Sequence, residues 1–205
     1  MAPVLIDPKG DVTLEVFEYD EDAVDGAKER PVLRKQEFQV SRTVLIRDSR
    51  YFKTMFLPGH FTDSKKGSIT LHDDTVASME LWLRALHKTE LSYDQSLLEM
   101  WNIASASDKY HFELSLLIPW FKVWYKRYNI DTLYTNFKVD EKLNEKLGIL
   151  DTRALLYPCW IFDHPQGFLR ATEFLVYNCA GHVTEFNPTK HTKLHLESPV
   201  IRKCF

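Results

Sequence analysis

The apolar residues of this chain change their spacing partway along, and that change fixes the fold class. Val12, Leu14 and Val16 alternate with Thr13 and Glu15, the period of a strand with one buried face. Met79, Trp82, Leu83 and Leu86 stand at i, i+3, i+4 and i+7, the stripe of an amphipathic helix. Between them, residues 37–40 and 68–71 read as two further short strands. Val44, Leu45, Tyr51, Phe52, Met55 and Phe56 predict two short helices broken near Asp48 and Ser49, where either polar side chain caps a second start. Ser41 ends the strand before them and is a predicted helix N-cap, and Pro58-Gly59 stops the second helix. Strands and helices mixed in this order make an α/β (α+β) chain.

Farther on, Asp73, Asp74 and Thr75 offer caps for the helix of Met79 to Leu86, which ends near His87, and Ser92 or Asp94 starts the next, with Leu97, Trp101 and Ala104 on one face. The widest apolar stripe is Leu114, Leu117, Ile118, Phe121, Trp124, Tyr125 and Tyr128. Pro119 lies inside it, so the helix either kinks there or starts afresh with proline in its first turn. Residues 129–148 are polar, rich in lysine and closed by Gly148, which marks them as a linker. Beyond it, residues 151–162 are strongly apolar, and Phe168, Ala171, Thr172, Leu175 and Cys179 repeat at helical spacing before Gly181. The core is expected to hold Val12, Leu14, Val16, Phe38, Leu45, Phe52, Met55, Leu71, Trp82, Leu83 and Trp101.

The 205 residues suffice for one large domain, or for one domain with a smaller companion, and 44% hydrophobic residues mark a packed chain. A net charge of -3 supplies no basic field to attract phosphates, so no direct nucleic-acid partner is expected. The acidic stretch from Glu18 to Asp25 reads as a solvated loop. Three cysteines without a C-x-x-C pair imply no disulfide framework. The start lacks a basic, then apolar leader, and no apolar run reaches the about 18 residues of a membrane span. The expectation is a cytoplasmic or nuclear protein with no membrane contact.

Chemistry is sparse. No G-x-S-x-G elbow, phosphate-binding glycine loop or H-E-x-x-H helix is present, so neither an enzyme nor a bound cofactor is expected. Asp20, Asp22, Asp25 and Gly26 fail the calcium-loop spacing because aspartate stands where glycine is needed. Cys179, His182, Glu185, His191, His195 and Cys204 carry zinc-ligand chemistry in one short segment. Their spacing matches no zinc finger and Gly181 interrupts a common face, so no metal is expected. Asp73 and Asp74 read as capping residues rather than a catalytic carboxylate pair. Phe121, Trp124, Tyr125 and Tyr128 read as core rather than as a base-stacking platform.

Particular words along the chain carry a resemblance. Residues 11–16 (DVTLEV) look like a D-V-x-L-x-V strand, and residues 38–45 (FQVSRTVL) like F-x-V-H-x-x-x-L with Ser41 in place of histidine. Residues 48–56 are similar to S-x-Y-F-x-x-M-F, residues 61–64 to F-x-E-S, residues 69–74 to I-x-L-x-D-D, and residues 106–110 to A-x-x-D-K-Y. In this order the words resemble the BTB/POZ domain, which implies a small mixed sheet flanked by helices over residues 7–128. A linker at 129–148 and a helical C-terminal extension at 149–205 follow. Residues 151–158 and 177–182 look like the C-terminal part of uncharacterised fungal BTB-domain proteins, a likeness that assigns the extension no function.

The resemblance implies a module that binds proteins. It implies a homodimer, with Val12 on the first strand and Ser41, Val44 and Leu45 on the following helix near the two-fold axis. Some members adapt substrates to cullin-type ubiquitin ligases, where an apolar-x-Glu word before the third strand helps to dock the cullin scaffold. Phe61, Thr62 and Asp63 occupy that place beside Phe56, with aspartate one methylene shorter than glutamate. The fold also serves oligomerisation of transcription factors, although no zinc-finger array follows here.

Overall fold

A computed structural model describes residues 2–20, 30–57, 67–128, 144–179, 183–189 and 193–196. Its contacts divide the chain into two compact units, residues 1–92 with 105–113, and residues 93–104 with 114–205.

The first unit is built on a four-stranded mixed sheet in the order β1-β3-β2-β4. Its strands are β1 (Val4–Leu5), β2 (Val12–Tyr19), β3 (Val32–Val40) and β4 (Ser68–His72). β2 and β3 pair antiparallel with Leu14 opposite Phe38, β2 and β4 run parallel with Leu14 beside Ile69, and β1 runs parallel to β3. The period-two reading holds along β2, where Val12, Leu14 and Val16 are buried and Thr13 and Glu15 lie on the opposite, partly exposed face. β3 begins five residues earlier than its apolar run predicts. Val32 to Lys35 are exposed there, so backbone pairing with β2 rather than burial extends that end. Gly10 sits where a side chain does not fit, because a Cβ there would stand 2.4 Å from the Val40 carbonyl oxygen.

Between β3 and β4 run α1 (Arg42–Asp48) and α2 (Arg50–Met55), and after β4 comes α3 (Val76–Leu86), which packs against β2, β3 and α1. The break between α1 and α2 falls at Ser49, whose hydroxyl accepts the Phe52 N–H at 3.1 Å. Thr75 caps α3 by accepting from the Ser78 N–H at 3.3 Å. Leu45, Phe52, Leu71, Met79, Trp82 and Leu83 are buried, while Met55 is only half-buried. α2 ends at Met55, before Pro58-Gly59, and that pair lies outside the described residues.

α4 (Leu97–Tyr110) starts later than Ser92 or Asp94. Its start is a capping box: the Ser96 hydroxyl accepts the Glu99 N–H at 3.2 Å, and the Glu99 carboxylate accepts the Ser96 N–H at 2.7 Å. In the second unit, a 3-10 turn at Leu114–Leu117 precedes α5 (Ile118–Tyr128), so Pro119 sits in the first turn of a new helix. α6 (Asn144–Ile161) and α7 (Pro165–Asn178) follow. Residues 129–143 of the expected linker lie outside the described residues, and Gly148 stands within α6 rather than ending a segment. Among the described residues no helix is long and apolar enough to cross a membrane.

The second unit closes on Trp101, Ala104 and Leu194, with Tyr157 and Ile161 against them, and on Leu156, Ala171, Leu175, Val183 and Leu196. Pro158 lies inside α6 and has no N–H, which leaves the Ala154 carbonyl without its intrahelical donor. The Trp101 indole N–H donates to that carbonyl at 2.8 Å, so a buried acceptor that proline orphans is satisfied from another helix. α7 starts with Pro165 behind His164, whose Nδ1 accepts the Gly167 N–H at 2.9 Å. Burial lowers the His164 pKa, which favours the neutral ring that this cap requires.

Candidate interaction surfaces

Three of the sequence words meet in space at one buried point of the first unit. Asp74 is nearly inaccessible, and its carboxylate accepts the Tyr110 hydroxyl at 2.5 Å and the Lys109 ammonium at 2.8 Å. Lys109 also donates to the His72 carbonyl. The Tyr110 carbonyl accepts the Ser49 hydroxyl at 2.7 Å, and its ring stacks on Phe52 with centroids 5.4 Å apart. Burial first, and then the Asp74 carboxylate, push the Tyr110 pKa far above the ordinary tyrosine value, so the phenol remains a donor. Asp73 enters this turn with φ 64, a left-handed conformation that aspartate tolerates better than most residues. Thr75 rather than Asp73 or Asp74 caps α3. Asp74 is instead a buried acceptor that locks α4 to the end of β4.

A second cluster fixes the start of α1. The Ser41 hydroxyl makes no cap bond. Instead the Ser41 N–H donates to Nε2 of His87 at 3.0 Å, while the His87 Nδ1–H donates to the Leu83 carbonyl at 2.8 Å. Geometry therefore places the imidazole proton on Nδ1. The Arg42 N–H donates to the Asp11 carboxylate at 2.8 Å. Beside this cluster lies an open groove of about 410 Å³, lined among others by Ile6, Val44, Arg47, Leu86 and His87.

The structure places the expected contact residues unevenly. Val12 and Leu45 are fully committed to the core of their own chain, while Ser41 and Val44 keep part of their surface, Val44 on the wall of the groove. Phe56 is also interior, stacked against Phe52 at 6.2 Å with the Arg42 guanidinium 4.6 Å from its ring centre. Phe61, Thr62 and Asp63 lie outside the described residues. His87, Ile6 and Leu86 complete the lining of the groove beside α1, and although Leu86 belongs to a helical stripe of the sequence, nothing in the sequence shows that the three share one groove. His87 stands at a helix end, and Ile6 and Leu86 belong to separate elements that only the tertiary fold brings together.

No cluster of metal ligands occurs among the described residues, and His182, His191 and Cys204 fall outside them. Cys159 is buried, and burial pushes its thiol pKa well up, so it stays protonated and unreactive.

The BTB/POZ domain family matches residues 31–115, from just before β3 to the residues after α4. This stretch carries α1, α2, β4 and α3 together with the Asp74, Tyr110 and Ser49 lock. A BTB/POZ domain is thus present in this chain, and such domains are protein–protein interaction modules. No curated protein matches the chain.

Proposed function

We propose that the BTB/POZ domain of this chain assembles with a second copy of itself through the outer side of α1. The observation that carries this reading is the groove wall, where Val44 keeps exposed apolar surface beside Ile6 and Leu86. The fixed start of α1 supports it as well. The helix is held by His87 and Asp11 within its own chain, so it is preorganised and docking orders little that is not already ordered. Val44→Glu places an unpaired carboxylate in that contact and is expected to weaken self-association by about thirtyfold or more, read by sedimentation equilibrium. Unchanged association of a folded Val44→Glu chain removes α1 from the contact.

A finer proposal is that the segment from Phe56 to Ser64 docks a cullin-type scaffold and makes the chain a ligase adaptor. Its support is the apolar-x-acid word at Phe61, Thr62 and Asp63. With Phe56 committed to the core, Phe61 is the remaining aromatic anchor. Phe61→Ala is then expected to reduce cullin recovery by about thirtyfold, and Asp63→Glu to raise it. A folded wild-type chain that recovers no cullin in a pull-down excludes the adaptor role and leaves homotypic assembly.

A further inference from the structure

The outer face of α7 carries more apolar surface than a solvated helix needs. Ala171, Thr172 and Leu175 face the core of the second unit, and Leu169, Val176 and Tyr177 point away from it with 57%, 48% and 87% of their surface exposed. These three stand at i, i+7 and i+8, so they share one side of the helix. Arg170 and Glu173 lie on the same side, between the apolar residues, and both are exposed.

We propose that this face pairs antiparallel with the same face of a second copy of the chain. The order of charges selects that occupant. An antiparallel two-fold arrangement centred between Ala171 and Thr172 puts Arg170 level with Glu173 of the other copy, and Glu173 level with its Arg170. Gln166 then lies level with Tyr177, and Leu169 within about 3 Å of Val176 along the axis, at about 1.5 Å of rise per residue. One axis thus makes two ion pairs and brings the apolar residues together, as a self-complementary contact requires. A parallel arrangement places Arg170 against Arg170 and Glu173 against Glu173, which is repulsive. The surface belongs to the second unit and is independent of the α1 contact.

The test uses the full chain with Val44→Glu, so that association through α1 is silenced. Sedimentation equilibrium is expected to find a dimer whose dissociation constant rises at least about tenfold with either Arg170→Glu or Glu173→Arg, since each turns two attractions into two repulsions. The double exchange, Arg170→Glu with Glu173→Arg, is expected to restore association to near the starting value. All three positions are exposed or half-exposed, and an unchanged circular dichroism spectrum verifies that each variant is folded. A Val44→Glu chain that stays monomeric at every concentration overturns the proposal. So do charge reversals without effect, or a double exchange that fails to restore the dimer.

Discussion

Asp74→Ala is expected to lower the stability of the first unit by about 3 kcal/mol, because two donors lose a shared buried acceptor at once. The Tyr110 hydroxyl is left among apolar rings. Lys109 loses its only partner carboxylate among the described ion pairs, although it is partly solvated and keeps the His72 carbonyl. Tyr110→Phe removes a single donor and leaves the Asp74–Lys109 pair intact, so a smaller loss of about 1 kcal/mol is expected. Urea denaturation of both single variants and the double variant measures the coupling. A double-variant loss smaller than the sum of the singles is expected, since Asp74→Ala already includes the penalty of the stranded phenol. Additive losses would mean that the 2.5 Å contact does not operate as a pair.

Trp101→Ala is expected to destabilise the second unit by about 4 kcal/mol, the range for an aromatic removed from a closed core. Two effects combine. The ring is fully buried and stacks on Tyr157 with centroids 4.7 Å apart. Its indole N–H is also the donor to the Ala154 carbonyl, which Pro158 deprives of a helical partner. Trp101→Phe retains much of the volume and leaves the carbonyl without that donor, so an intermediate loss is expected. Pro158→Ala returns an N–H to α6 and should soften the effect of Trp101→Phe. Hydrogen exchange of the α6 amides reads all three, and equal protection in Trp101→Phe and wild type would show the indole N–H to be dispensable.

Much of the fold was legible because the elements announce themselves locally. The alternation of Val12, Leu14 and Val16 marks β2, Asp48 and Ser49 bracket the break between α1 and α2, and Pro119 signals either a kink or a fresh start, of which the structure has the fresh start of α5. Features set by tertiary contact were not legible. β1 is two residues long and carries no period, and Gly148 continues in a helix although glycine predicts a stop. The capping box of Ser96 and Glu99 was present as an S-x-x-E word, yet Ser92 and Asp94 offered competing starts. Asp74 reads as a cap from its position before a helix, and only the return of α4 makes it a buried acceptor. The residues expected at a contact follow the same division. α1 was identified from its words, while burial separates Val44, which keeps surface, from Leu45 and Val12, which do not.

The most direct measurement is the mass in solution of the full chain carrying Arg170→Glu, followed over a wide concentration range so that α1 association stands apart from α7. Self-assembly through the BTB/POZ domain predicts twice the mass of one chain, falling to a single chain on dilution, and falling at higher concentration once Val44→Glu is added. The mass of a single chain at every concentration, from protein with its helix content intact, would contradict it.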